Sequence, residues 1–335
     1  ITIVVSCAVA AAILFYSVAT KPARWVYFGN LFLFNNAPQP LLLFAGDVFL
    51  GREVERWQVA NPAEYPFIHL RELFSHYPNV LINFEAAIPE VHVPTPNYGF
   101  VFSVLEAHVQ PLSSYGVTHA GVANNHTYDF GTAGFLHTKD ALEQAGLRTV
   151  GADYTPVFIE QGKHTLGIIA VNNVTSPVAI DAVTAAIAQV LEVGALPIVY
   201  IHWGEEYVST PNQEQRHLAE AFAHAGAVAV VGHHPHVVQS IERIGDTLVV
   251  YSLGNTVFDQ YFSESVQSGL LLGLAANATS LQFELIPITS QNSRHQPHVL
   301  EGERYQAALR TLATISDSDL QTAIESGRIT IEPED

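Results

Sequence analysis

Methionine is absent from the 335 residues, cysteine occurs once, and lysine and arginine together number only 14. The lone Cys7 excludes an intrachain disulfide framework and a cysteine-based zinc site. So few cations, set against 32 aspartates and glutamates and a net charge of -18, leave no basic face with which to neutralise phosphates. No nucleic-acid partner is expected. Charged residues make up 14% and hydrophobic residues 48%, the reverse of the balance in a disordered chain, so a substantial core is expected. The acidity suits a soluble surface or cations held in a carboxylate-rich cleft. Histidine, by contrast, is abundant at 16 residues and is the commonest metal ligand, although most copies are expected to be surface or packing residues. With Ile at position 1 and no Met, further residues upstream are expected.

The segment Ile1 to Thr20 carries no charge and is nearly all apolar. As a helix rising ~1.5 Å per residue it is long enough for a hydrocarbon core about 30 Å thick. Lys21, Arg24, Trp25, Tyr27 and Phe28 follow and resemble an interfacial edge. A transmembrane anchor, a signal peptide cut after Ser17-Val18-Ala19 and a buried core helix all compete for this segment. Length and flanks favour the anchor. The expected organisation is a transmembrane anchor or signal sequence at 1–20, a linker at 21–40, a globular domain at 41–290 and a helical tail at 291–335.

Leu41-Leu42-Leu43-Phe44-Ala45 is an uninterrupted apolar run, as in a strand buried on both faces. It stops at Gly46-Asp47. The pattern recurs: Val80-Leu81-Ile82 stops at Asn83-Phe84-Glu85, His119 to Ala123 at Asn124-Asn125-His126, Ile198 to Ile201 at His202, Val228 to Val231 at Gly232-His233-His234-Pro235-His236, and Leu248 to Leu253 at Gly254-Asn255. Thr165 to Val171 and Leu281 to Ile288 read as further strands. Helical patterns fall between, at Thr132 to Ala145, Ala179 to Leu191 and Gln213 to Ala225, and again at Glu301 to Ser316. Strand alternating with helix predicts an α/β fold with parallel pairing and helices on the outer faces. In such sheets the carboxyl ends of strands share one edge, where ligands bind. Asp47, Glu85, Asn125, His126, His202, His234 and His236 are therefore expected to meet in one cleft. Carboxylates, an amide oxygen and imidazoles suit two borderline cations such as Zn²⁺, Mn²⁺ or Fe, with a carboxylate able to bridge them.

Six segments, in order, resemble the CapA family of capsule and poly-γ-glutamate synthesis proteins. They are Gly46 to Arg52, Asn83 to Glu85, Ala123 to Gly131, His202 to Tyr207, Gly232 to His236 and Tyr251 to Asn255, within a match from about Leu41 to about Leu274. That family is similar to calcineurin-like metallophosphoesterases, and the resemblance implies a four-layer α/β/β/α sandwich. It also implies Asp47 as the first metal-binding carboxylate, Glu85 in the bridging place and Asn125, His202, His234 and His236 as further ligands. His126 is implied as the group that protonates a leaving oxygen, with Asp129 orienting it. The phosphoesterase pattern has Asp-x-His in its first motif, whereas Phe49 stands here; Glu205 or His233 is a candidate replacement ligand. Arg52 is a candidate grip for phosphate or carboxylate, the alternative being a surface pair with Glu53 or Glu55. The function implied is that of a membrane-anchored, metal-dependent phosphoesterase-like hydrolase. It would act in capsule or poly-γ-glutamate synthesis and export, its domain outside the cytoplasm. The expected partners are membrane synthase subunits and an anionic polymer or phosphoester. The alternative is a non-catalytic accessory or polymer-binding subunit of such a complex.

Overall fold

A computed structural model describes residues 38–61, 65–97, 99–151 and 153–332. The expected anchor at 1–20 lies outside the described residues, as does the linker up to residue 37. Among the described residues no helix is long and apolar enough to cross a membrane.

The first run becomes β1 (Gln39–Val48), followed by α1 (Arg52–Ala60), α2 (Arg71–Phe74), β2 (Val80–Phe84), β3 (His119–Gly121), α3 (Gly131–Gln144) and β4 (Arg148–Val150). Next come β5 (Val157–Gln161), β6 (His164–Asn172), α4 (Ile180–Glu192), β7 (Leu196–His202), α5 (Gln213–His224), β8 (Ala229–His233), β9 (Ile241–Ile244) and β10 (Thr247–Val250). The chain continues with β11 (Asn255–Val257), β12 (Ser268–Ala276), β13 (Leu281–Thr289), β14 (His298–Val299), α6 (Gly302–Ile315), α7 (Gln321–Glu325) and β15 (Arg328–Ile331).

These strands form two sheets. One runs β14-β13-β12-β1-β2-β3-β4, with β11 also on β1 and β15 on β13; the other runs β5-β6-β7-β8-β10-β9. The expected parallel pairing holds where a long connection separates the strands, through β1-β2-β3-β4 and β6-β7-β8-β10. Short links instead make β5-β6, β9-β10 and β12-β13 antiparallel, so both sheets are mixed.

Side-chain alternation decides which core each strand feeds. Leu42 and Phe44 face the inter-sheet core with Ile168, Tyr200, Val231 and Val250. Leu43 and Ala45 point the other way, onto Val54 of α1, Phe74 of α2 and Leu142 of α3. On the second sheet, Val199, Ile201 and Val230 pack outward onto Val183 and Ile187 of α4 and Leu218 and Phe222 of α5. The layers are thus helices, sheet, sheet, helices. Each fully buried Leu, Val, Ile or Phe contributes roughly 1.5–3 kcal/mol. Burial on both faces is why the strands read as unbroken apolar runs. The Tyr200 hydroxyl donates to Ala45 O at 2.6 Å, a direct bond between the sheets.

The segment expected as a helical tail is more than helical. Leu309, Leu312 and Ile324 of α6 and α7 join the inter-sheet core. β15 then pairs antiparallel with β13, from Leu281↔Ile331 to Glu284↔Arg328. Ile329 and Ile331 are buried while Arg328 and Thr330 are exposed, an alternation too short to stand out in the sequence.

Candidate metal centre

Asp47 is next to last in β1 and Glu85 directly follows β2. Asn125 and His126 lie in the turn after β3; His202 and His233 close β7 and β8, and His234 and His236 follow. Register aligns them, with Asp47 opposite Asn83, and His202 opposite His233. The two buried cluster carboxylates therefore come from the first sheet and the four imidazoles of His202, His233, His234 and His236 from the second.

Asp47 is fully buried. Its Oδ1 accepts from Asn83 Nδ2 at 2.8 Å and lies 3.6 Å from His233 Nδ1. Its Oδ2 accepts the His234 backbone N–H at 3.1 Å and lies 3.2 Å from His236 Nδ1. Glu85 Oε1 is 3.7 Å from His236 Nε2 and 4.0 Å from His126 Nε2. His202 Nε2 meets Asn125 Oδ1 at 2.8 Å, and its Nδ1 meets His233 Nδ1 at 2.7 Å. His234 and His236 sit at φ values of 100° and 58°, left-handed conformations costly for side chains of this size. Backbone strain of this kind concentrates at functional sites.

Burial pushes the Glu85 carboxyl well above its usual range, and the neighbouring Asp47 adds to the push. Burial also works upward on Asp47, but the hydrogen bond and charge of His236, with help from His233 and Asn83, hold it below the usual carboxylate range. Burial lowers His202 well below the ordinary imidazole value, His233 to about 4 and His234 to about 3. At neutral pH these rings are uncharged and offer lone pairs.

His233 Nε2 and His234 Nδ1 are buried with no hydrogen-bond partner. Such orphans are costly in a dry interior unless something satisfies them. Ligand atoms within 4.8 Å of one another come from Asp47, Glu85 and His236; from Glu85, His202 and His234; from Asp47, His202 and His233; and from Glu206, His234 and His236. Neutral imidazoles and buried carboxylates at this spacing fit a borderline divalent cation. The structure brings Asp47, Glu85, Asn125, His202, His234 and His236 together, as expected.

Two expected positions turn out differently. Glu205 is exposed and belongs to none of these groups; its neighbour Glu206 does. Gly204 and Tyr207 both adopt positive φ, and Tyr207 N–H donates to Pro235 O at 2.8 Å, which turns Glu206 toward the histidines. The guanidinium of Arg52 meets Asp259, not Glu53 or Glu55, its expected alternative partners. Its Nε and Nη2 both donate to Asp259 Oδ1, at 3.1 and 2.6 Å, and Nη1 reaches Gly99 O at 3.3 Å. The rings of Phe49, Phe102 and Phe258 surround its guanidinium.

His126 Nδ1 lies 2.8 Å from Asp129 Oδ2, which also accepts the Phe102 N–H at 2.6 Å. Phe102 stacks on the His126 ring with centroids 3.6 Å apart and planes at 11°. Asp129 thus orients His126, as expected, and Phe102, which the sequence did not single out, fixes its plane. Asn255, at which the last apolar run stops, also reaches the cluster. Its Nδ2 donates to Val266 O at 3.0 Å, which settles the amide orientation and turns Oδ1 to His236 Nδ1 at 2.9 Å. That nitrogen carries the proton, so His236 Nε2 presents its lone pair toward Glu85. Asn83, bonded to Asp47, shares a strand face with Glu85 two residues on, so period two marks it; Phe102 carries no such signal.

Residues 41–260 match the family described as "Bacterial capsule synthesis protein PGA_cap". The chain is 28% identical over 323 residues to the "PGA biosynthesis protein CapA" of Bacillus subtilis (strain 168), covering 86% of this chain and 81% of that one. It is 30% identical over 288 residues to the "Capsule biosynthesis protein CapA" of Bacillus anthracis, covering 76% and 69%. Among solved structures, a hypothetical protein from Thermus thermophilus aligns with a TM-score of 0.46 and 18% identity, over 78% of this chain and 98% of that one.

Proposed function

The chain belongs to the bacterial capsule synthesis protein family, and from that premise we propose that it is a metal-dependent phosphoesterase-type hydrolase serving capsule or poly-γ-glutamate synthesis and export. The observation that carries the proposal is the convergence of Asp47, Glu85, Asn125, His202, His234 and His236 beside an oriented His126–Asp129 pair. Two buried groups share Glu85: one has Asp47 and His236, the other His202 and His234. This arrangement supports a pair of cations, Mn²⁺, Zn²⁺ or Fe, with Asn125 joining the second group, on a four-layer fold of the metallophosphoesterase type. When bound, such cations supply an acidified water and stabilise negative charge on phosphoryl oxygens.

The chain's own residues supply the rest. Asp129 holds His126 by Nδ1 and leaves Nε2, 3.1 Å from Asn125 Nδ2, facing the cluster as the nitrogen that would exchange a proton with the leaving oxygen. Phe102 keeps that ring in plane, and Asn83 and Asn255 fix Asp47 and His236 before substrate arrives. The substrate is an anionic polymer or its phosphoester precursor, met beside membrane synthase subunits. The apolar Ile1–Thr20 segment supports a membrane anchor with this domain outside the cytoplasm. Purified protein given Mn²⁺ should hydrolyse an aryl phosphate or aryl phosphodiester, and chelation should stop it. A protein that binds Mn²⁺ tightly yet turns over neither ester would instead be an accessory, polymer-binding subunit.

A further inference from the structure

The two cation positions are unequally furnished. The group of Glu85, His202 and His234 has Asn125 Oδ1 close by, 2.8 Å from His202 Nε2. The group of Asp47, Glu85 and His236 has no fourth donor from its own motif, because residue 49 is a phenylalanine packed onto Phe102 and Phe258 with ring centroids 4.3 and 5.3 Å away. His233 is a poor substitute. Its Nδ1 is engaged with His202 Nδ1 at 2.7 Å, and its ring lies against Tyr200, with centroids 4.3 Å apart.

Glu206 stands elsewhere. One of its carboxylate oxygens lies within 4.8 Å of ligand atoms of both His234 and His236, which belong to different cation groups. The loop that carries it is held in place. Tyr207 takes a φ of 64°, donates its N–H to Pro235 O at 2.8 Å, stacks on His236 with centroids 5.9 Å apart, and accepts from Gln260 Nε2 at its hydroxyl at 3.0 Å. His234 Nδ1, buried and without a hydrogen-bond partner, belongs to the ring that Glu206 faces.

We infer that Glu206 is a metal ligand which joins His234 and His236 on the open side of the cluster and supplies a donor there that the first motif, with Phe49, does not. This rests on the metal-dependent reading above and adds a residue to it. Glu206 is exposed, so it closes the solvent side of the cluster, across from the buried Glu85. An exposed carboxylate on a turn also exchanges with water more readily than a buried imidazole, which makes this position the more easily emptied of the two.

The test is Mn²⁺ binding followed by the electron paramagnetic resonance of free Mn²⁺, with the purified chain, Glu206→Gln and Glu205→Gln compared side by side. Unchanged thermal midpoints without Mn²⁺ would show that both variants are folded, as their exposure leads one to expect. The expected result is two ions on the parent chain, a second event weakened at least roughly tenfold in Glu206→Gln, and no change in Glu205→Gln. Two undiminished ions in Glu206→Gln would overturn the assignment. Equal losses in both variants would also overturn it, since they would indicate general acidity instead of coordination. A parent chain that binds one ion would refute a second position furnished by Glu206 while sparing the metal reading; one that binds none would refute both.

Discussion

The half-buried His92 with Glu55 and the buried cluster around Asp47 are both histidine–carboxylate groups, and they differ in how their polar atoms are matched. His92 Nε2 meets Glu55 Oε1 at 2.9 Å and its Nδ1 meets Ser103 Oγ at 2.8 Å, one imidazole to one carboxylate with both ring nitrogens engaged. Only Glu55 Oε2 is left over. In the cluster, four imidazoles meet three carboxylates, two of them buried; burial keeps three of the rings neutral, and ring nitrogens of His233 and His234 find no partner. The His92 group clips the loop before Ser103 onto α1 and is nearly self-sufficient. The cluster holds more lone pairs than protons, an imbalance that a divalent cation would correct. Residue type alone does not separate the two groups; the ratio of acceptors to donors does.

Substitutions in the cluster should therefore act on metal and turnover, and substitutions at the clip on stability. The largest effect is expected from His126→Ala, which should lower kcat by ~10²–10⁴ while the thermal midpoint and Mn²⁺ titration stay put. Next is Asp47→Asn. Saturation of the parent chain to 100 times its dissociation constant should stabilise it by about 2.7 kcal/mol against urea, and most of that gain should vanish in the variant. His92→Ala should leave buried Glu55 without its partner and lower stability by about 1–3 kcal/mol, with both Mn²⁺ events retained. Loss of Mn²⁺ binding in His92→Ala would erase the distinction between the two groups.

The smallest effect at neutral pH concerns His119, which belongs to neither group. Burial, with Arg148 nearby, lowers it to about 4. Unfolding releases a histidine that titrates near 6.5, so between these values the unfolded chain binds more protons and stability falls as pH falls. The contribution is complete above about 6.5 and gone below about 4. His119→Gln should flatten the urea midpoint against pH across that window; an unchanged slope would assign the acid sensitivity to other buried histidines.

Much of the site was legible because its residues mark where unbroken apolar runs stop. A run buried on both faces has no reason to end in Asp47, Glu85 or His202 unless the chain has reached the sheet edge, and the structure gathers those ends. Glu206 was not separable from Glu205, because after His202 the backbone leaves the strand through left-handed Gly204 and Tyr207 and periodicity is lost. The partners of Arg52 were hidden for another reason. Asp259 lies 207 residues away, and only the finished fold shows that the guanidinium is already occupied. On the fold side, the helices α3 to α6 and the strands β1, β6, β7 and β8 followed from pattern. The strand β15 did not, because four residues give too little alternation to register and its pairing with β13 is entirely tertiary.

The division of donors between the sheets governs when the cluster is complete. Acid groups arrive early in synthesis and the imidazoles that face them much later, and the bond from His234 N–H to Asp47 Oδ2 spans 187 residues of chain. A ribosome that has delivered only the first sheet's leading strands has made half a lock. The cluster is thereby incomplete in unfinished chains and assembled only once the two layers have docked.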